Sequence, residues 1–180
     1  MTRSIVAQPL TADAFAPFGD ILEATGTPDK IINRGFCARF HDRAQLDFGS
    51  GGRAGISVFR GAPVAWPVEV ALVERHPGGS QAFVSMTGHP FLVVVAPDED
   101  GTPGTPRAFV AAPGQGINFH RGTWHGVLTP LHAPGLFAVV DRIGDTPNLE
   151  EHWFDTPFVV EPGEDCASAG LAQASRQGEN

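Results

Sequence analysis

Two short stretches of this sequence carry side chains that can bind a cation or move a proton. In Glu74-Arg-His-Pro-Gly-Gly-Ser-Gln81, which runs on to Gly88, Glu74 and His76 are two positions apart and on a strand point to one face. In Gly114-Gln-Gly-Ile-Asn-Phe-His120-Arg-Gly122-Thr-Trp-His125, a glycine-shaped turn delivers a histidine at the start of a strand. Lining one pocket, Glu74, His76 and His125 offer one carboxylate and two imidazoles, a set that suits a divalent transition metal if Gln81 or water completes the shell. The chain has no tyrosine, so acid and base work falls to His, Glu or Asp, which singles out His76, His120, His125 and Glu74. Taken singly, each histidine is more often a buried ring bonded to backbone or to an acid than a ligand.

A second polar group lies upstream. Asn33, Arg39 and His41 fall at odd offsets in Ile31 to Asp42, so a regular strand shows all three on one face. A solvated outer strand and a pocket wall account for that face equally well. Downstream, Asp141 and Arg142 are adjacent on a strand and point to opposite faces, so at most one of them enters a pocket.

The elements that must position these groups are short strands. The chain has 180 residues, 42% hydrophobic and 18% charged, with 22 glycines and 16 prolines as punctuation. One domain, with a sizeable core, is the expected count, and so many turn formers favour strands over long helices. Thr11 caps a brief helix over Ala12 to Phe18. Strands are expected at Ile21 to Thr25, Ile31 to Phe40, Gly55 to Arg60, Pro67 to Arg75, Gln81 to Met86, Arg107 to Ala112, Gly116 to His120, Trp124 to Leu128 and Leu136 to Arg142. Asn148 to Trp153 reads as either a helix or a strand, with another strand at Phe158 to Val160. Pro90-Phe-Leu-Val-Val-Val-Ala-Pro97 reads as a strand buried on both faces, and a second subunit is one way to cover Val93 to Ala96. Residues 1–161 form the folded domain, while 162–180 have too little apolar mass to pack and are expected to be mobile.

A net charge of −8 argues against nucleic acid or an anionic membrane as partner. Cys37 and Cys166 form no C-x-x-C pair, which fits a reduced compartment. No apolar run has the length of a signal peptide core or a membrane span, so a cytoplasmic protein is expected.

The two stretches resemble the paired motifs of the cupin superfamily, G-x5-H-x-H-x(3,4)-E-x6-G and G-x5-P-x-G-x2-H-x3-N. The spacing holds, but Glu74 stands at a usual histidine, Gln81 at a usual glutamate and His120 at a usual proline. Val68 replaces the opening glycine and Thr129 the closing asparagine. Glu-Arg-His-Pro-x-Gly-x-Gln-Ala-Phe, then Val-Val-Val-Ala-Pro, then Gly-x-Asn-Phe-His-Arg-x-Thr-Trp-His is similar to the ureidoglycolate lyase family. Ile32-Asn33, Arg39-Phe-His-Asp42, Val140-Asp-Arg142 and Glu151-His-Trp-Phe154 extend the likeness over roughly residues 8 to 160. Gly126 departs from it, standing where many members have a second histidine.

The resemblance implies an all-β, cupin-like jelly-roll barrel with short peripheral helices, assembled as a homodimer around a small-molecule substrate. It implies cleavage of ureidoglycolate to glyoxylate and urea in allantoin degradation. That reaction needs a base for the hydroxyl proton, an acid for the departing nitrogen and a cation for the carboxylate. Within the matched motifs the catalytic set is His76, His125, Glu74 and His120, and the substrate-binding set is Arg39, Asn33, His41, Gln81, Asp141 and Arg142. Arg39 is the first choice for the carboxylate; a strand turns Arg75 away from its neighbours Glu74 and His76. A metal site of Glu74, His76, Gln81 and His125 suits nickel, zinc or manganese, although the chemistry does not require a metal. The competing readings are a metal-dependent cupin dioxygenase or isomerase, and a ligand-binding cupin without catalysis.

Overall fold

A computed structural model describes residues 3–166. The sequence alternates too strongly, and is too dense in Gly and Pro, for helices of any length. Among the described residues the longest helical element with defined caps is Ala12–Phe15, where the Thr11 side chain accepts from the Ala14 amide. The chain then turns straight into the Gly19–Leu22 strand, so the helix is one turn shorter than the sequence implied.

Two sheets carry the fold. The smaller runs in the order Gly19–Leu22, Gly116–Phe119, Gln81–Ser85, Gly135–Ile143 and Arg53–Gly61. The larger runs Arg3–Val6, Glu150–Glu161, Val68–Arg75, Trp124–His125, Phe91–Ala96, Arg107–Ala111 and Gln8–Pro9, with Thr129–Pro130 also paired to Phe91–Ala96. The N-terminal segment closes this larger sheet. Arg3–Val6 pairs in parallel with 158–161 at one edge, and Gln8–Pro9 pairs in parallel with Phe109 and Val110 at the other. One segment thus occupies both edges, giving a nearly closed all-β barrel.

Phe91–Ala96 is the strand on which both cores rest, and every residue in it is buried. Phe91, Val93 and Val95 face the smaller sheet and pack with Phe15, Phe83, Phe109, Ile117, Phe119, Phe137 and Val139. Leu92, Val94 and Ala96 point the other way, into a cluster with Val68, Val70, Trp124, Phe158 and Val160. Each large apolar side chain buried this way is worth about 1.5–3 kcal/mol. Val93 to Ala96 therefore need no second subunit to cover them, because the chain's own curl does so.

Three other expectations change. Ile31 to Phe40 is a hairpin: Lys30–Ile32 pairs only with Cys37–Arg39, across a turn whose Asn33, Arg34 and Gly35 have φ of 54°, 58° and 97°. Asn-Arg-Gly tolerates that left-handed turn better than a β-branched run would. The ambiguous region after Asn148 joins Phe158 to Val160 in one strand, Glu150–Glu161, with a register shift between Trp153 and Phe158. Pro157 lies in that gap, where its missing N–H breaks no ladder bond. Trp124 to Leu128 shortens to Trp124–His125.

Cys166 is buried, with its thiol 3.6 Å from the Ala7 carbonyl, so the chain up to 166 folds back onto the barrel. The rest of the stretch expected to be mobile lies outside the described residues. No helix among the described residues is long and apolar enough to cross a membrane.

Candidate active site

The strand register brings two of the candidate ligands together. His125 pairs with Glu74 across the Trp124–His125 and Val68–Arg75 strands, and with Val95 on its other side. Paired residues share a face, and Val95 belongs to the core between the sheets, so Glu74 and His125 both point there. The turn after Arg75 adds His76. The ligand atoms of Glu74, His76 and His125 all lie within 4.8 Å of one another, and the two imidazole centres are 5.3 Å apart.

Backbone contacts fix the orientation of both rings. His76 Nδ1 is 2.6 Å from the Asn148 carbonyl oxygen and His125 Nδ1 is 3.0 Å from that of Gly126. A carbonyl only accepts, so each Nδ1 carries the proton and donates it, leaving both Nε2 atoms as free lone pairs. Both Nε2 atoms are buried and have no hydrogen-bond partner. Phe119 stacks flat on the His125 ring at 4.1 Å and 4°. Burial drives the His125 pKa down to about 3, with nearby His76 adding to the fall and the Gly126 bond opposing it.

Glu74 responds to the same burial in the opposite sense. Desolvation raises its carboxyl above the usual range, His76 draws it back down, and Glu151, directly across the strand pair, raises it further. Two turns are built to hold this cluster. Gly122 adopts φ of 78°, and its amide donates to the His76 carbonyl at 3.1 Å, tying the second stretch to the first.

The smaller sheet supplies the facing wall. Gln81 pairs with Phe119, so its side chain enters the same interior, where its Oε1 is buried and unpartnered. Asp141 lies one step beyond the Val140–Ala82 pair, on the face of Val139, and its Oδ1 is likewise buried without a partner. Four unsatisfied polar atoms facing one interior are costly to a folded chain, about 1–3 kcal/mol each, unless a ligand meets them.

Arg142 turns away from Asp141, as adjacency on a strand requires. Its Nε donates to the Phe48 carbonyl at 3.0 Å, and its buried Nη1 has no partner. Gly52, Gly78, Gly79 and Gly144 surround it so closely that a Cβ on any of them would come within 2.4–3.1 Å of its side chain. The Gly78 amide also donates to Asn148 Oδ1, and the Asn148 carbonyl accepts from His76, so Arg142 and His76 belong to one group of loops.

The remaining sequence candidates lie elsewhere. His120 Nε2 is 3.1 Å from Asp20 Oδ1, where Asp20 also accepts from Asn118 and the Gln45 amide. His120 follows Phe119 in the chain and takes the opposite side of that strand. Burial alone would raise the Asp20 carboxyl, but its bonds to Gln45, Asn118 and His120 hold it below the usual range. Asn33, Arg39 and His41 are exposed on the hairpin, with Arg39 Nη2 2.7 Å from His41 Nδ1. Sequence reasoning passed over Asn148, Glu151 and Phe119. Glu151 and Phe119 carried a signal only as parts of matched motifs; Asn148 acts through its backbone and side-chain oxygens, which spacing does not reveal.

A carboxylate and two tautomer-fixed imidazoles inside a nearly closed β-barrel define a cupin-type protein with a metal-competent centre. The sequence model of the family "Ureidoglycolate lyase" matches residues 2–161, and the chain belongs to that family. Relatives include the ureidoglycolate lyase of Rhodobacter capsulatus, 55% identical over 157 residues, which are 87% of this chain and 98% of the relative. That of a Chelativorans species is 52% identical over 159 residues, 88% and 96% of the two chains. Ureidoglycolate lyase 2 of Rhizobium meliloti is 50% identical over 155 residues, 86% and 95%.

Proposed function

We propose that this protein is a ureidoglycolate lyase, releasing glyoxylate and urea as a step of allantoin breakdown in the cytoplasm. The observation that carries this reading is the pair of buried Nε2 lone pairs on His76 and His125 beside the Glu74 carboxylate, together with the names of the relatives. The donor set fits a divalent cation such as nickel, zinc or manganese. Each imidazole donates its Nδ1–H to the carbonyl behind it, which fixes the ring and aims its Nε2 into the interior, as outer hydrogen-bond partners orient metal-bound histidines. Glu74, His76 and His125 would hold the ion, with Gln81 Oε1 facing the same interior. Once bound, a divalent cation lowers the pKa of an oxygen coordinated to it.

The substrate carbon carries a hydroxyl, a carboxylate and a ureido nitrogen. The hydroxyl proton leaves to a base, the oxygen lone pair forms the C=O of glyoxylate, the C–N bond breaks, and the nitrogen takes a proton to become urea. Gln81 Oε1, buried and unpartnered, accepts a hydrogen bond from a ureido N–H group. The Arg142 Nη1 donates to the carboxylate, a role its buried, unpaired state favours over that of the exposed Arg39, already bonded to His41. Glu74, with its raised carboxyl pKa, serves as the acid for the departing nitrogen if the reaction runs without an ion.

Two measurements test the reading together. Turnover of ureidoglycolate should yield urea rather than ammonia, above spontaneous decay. Prolonged EDTA treatment, with metal loss verified, should abolish turnover and a divalent ion should restore it. Survival of full activity without metal assigns the three residues to acid and base work instead, and ammonia as product overturns the reaction.

A further inference from the structure

A second pair of imidazoles lies far from this centre. His89, in the turn between Gln81–Ser85 and Phe91–Ala96, and His132, in the turn before Gly135–Ile143, have ring centres 5.7 Å apart and tilted by 41°. Both are half-buried, and neither ring makes a hydrogen bond or ion pair among the described residues. His125 is level with Val95, whereas His89 precedes Phe91, so the two centres stand at opposite ends of the strand, on the order of 13 Å apart.

The two turns are pinned to each other on both sides of the pair. Pro130 pairs with Phe91, and the Leu131 amide donates to the Pro90 carbonyl at 3.4 Å. The Met86 amide donates to the Leu136 carbonyl at 2.9 Å, and Phe137 pairs with Ser85. Pro90 and Pro134 restrict the backbone beside each histidine. The sheet thus holds the two tilted rings next to each other.

We propose that His89 and His132 form a second cation site, taking a borderline transition ion such as Zn²⁺, Ni²⁺ or Cu²⁺ with water completing the shell. Two imidazoles sharing one ion through nitrogens about 2.0–2.1 Å from it have ring centres on the order of 5 to 6 Å apart, the spacing found here. A bound ion staples the two turns at the end of the barrel opposite the active site.

The test uses tag-free, full-length protein titrated with Zn²⁺ by calorimetry at pH 7.5, with thermal unfolding followed in parallel. Wild type should bind one more equivalent than His89→Gln or His132→Gln, and His125→Gln should keep that equivalent. Saturating Zn²⁺ should raise Tm in His125→Gln but by clearly less in the triple variant His89→Gln/His125→Gln/His132→Gln, in which both sites are removed. Ureidoglycolate turnover should be unchanged in both single variants at the turns, which also shows that they fold. Equal stoichiometry in wild type and both turn variants overturns the site, as does loss of the extra equivalent in His125→Gln alone.

Discussion

His125 is neutral in the folded protein because no solvent reaches it and because Phe119 covers one of its faces. Its pKa is about 3 folded, against an ordinary 6.5 for the imidazole. Between those values the unfolded chain binds a proton that the folded chain refuses, so stability is fully present above pH 6.5 and is lost as pH falls toward 3. The slope from this one group is at most about 1.4 kcal/mol per pH unit. Urea unfolding of metal-free protein at pH 7.5 and 5 should show wild type losing more stability than His125→Gln; equal losses would mean the ring is not held neutral. Arginine chemistry gives the second prediction at this scale. Arg142→Lys keeps the charge but not the fork, so KM should rise about tenfold or more, a loss near 1.4 kcal/mol, while Arg39→Lys stays near wild type. The reverse pattern would return the carboxylate to Arg39.

At the scale of elements, the site depends on turns more than on strands. The Glu74–His125 pair follows from strand register, yet His76, Gly78 and Gly79 stand in a turn. That turn is held by the Gly122 amide on the His76 carbonyl and by Asn148. Gly79 meets Arg142 at a rigid atom: a Cβ there would fall 2.8 Å from Arg142 Cβ and 2.8 Å from the Asp47 carbonyl oxygen. Neither backbone oxygen nor Cβ can swing aside as a side-chain tip does. Gly79→Ala should therefore cost about 1–3 kcal/mol in stability by overpacking and lower kcat/KM by displacing Arg142. Denaturant melts and steady-state kinetics read both effects, and a variant with wild-type stability and kinetics would show that the loop gives way freely.

At the scale of the molecule, one face is left without a cover. Pairing across the smaller sheet puts Val58, Ala138 and Val84 in one row and Ile56 and Val140 in the next, on the side away from the core. Ile56 is 78% exposed, Val58 63% and Met86 55%, and Arg53–Gly61 is the sheet's edge strand. A contiguous apolar strip beside a long free edge is the kind of surface a second copy covers. The homodimer implied by the family resemblance is placed there as a proposal. Light scattering on Ile56→Lys/Val58→Lys should then report a monomer where wild type is a dimer; a dimer surviving both changes would locate the interface elsewhere.

The sequence by itself determined what is local. An unbroken apolar run with proline bounds marked Phe91–Ala96 as doubly buried, Thr11 marked the helix start, and motif spacing marked Glu74, His76 and His125 as a group. These follow from period and chain chemistry, which neighbours in sequence express. What tertiary structure decided is what depends on partners far along the chain. Asn33, Arg39 and His41 share a face only on a regular strand, and three left-handed residues fold that stretch into an exposed hairpin instead. Arg142 and Arg39 look alike as carboxylate anchors in sequence. They are separated by burial, since a glycine from each of four loop positions closes on one and solvent surrounds the other. The free Nε2 atoms of His76 and His125 likewise depend on the carbonyls of Asn148 and Gly126, because a tautomer is set by the atom that meets the other nitrogen.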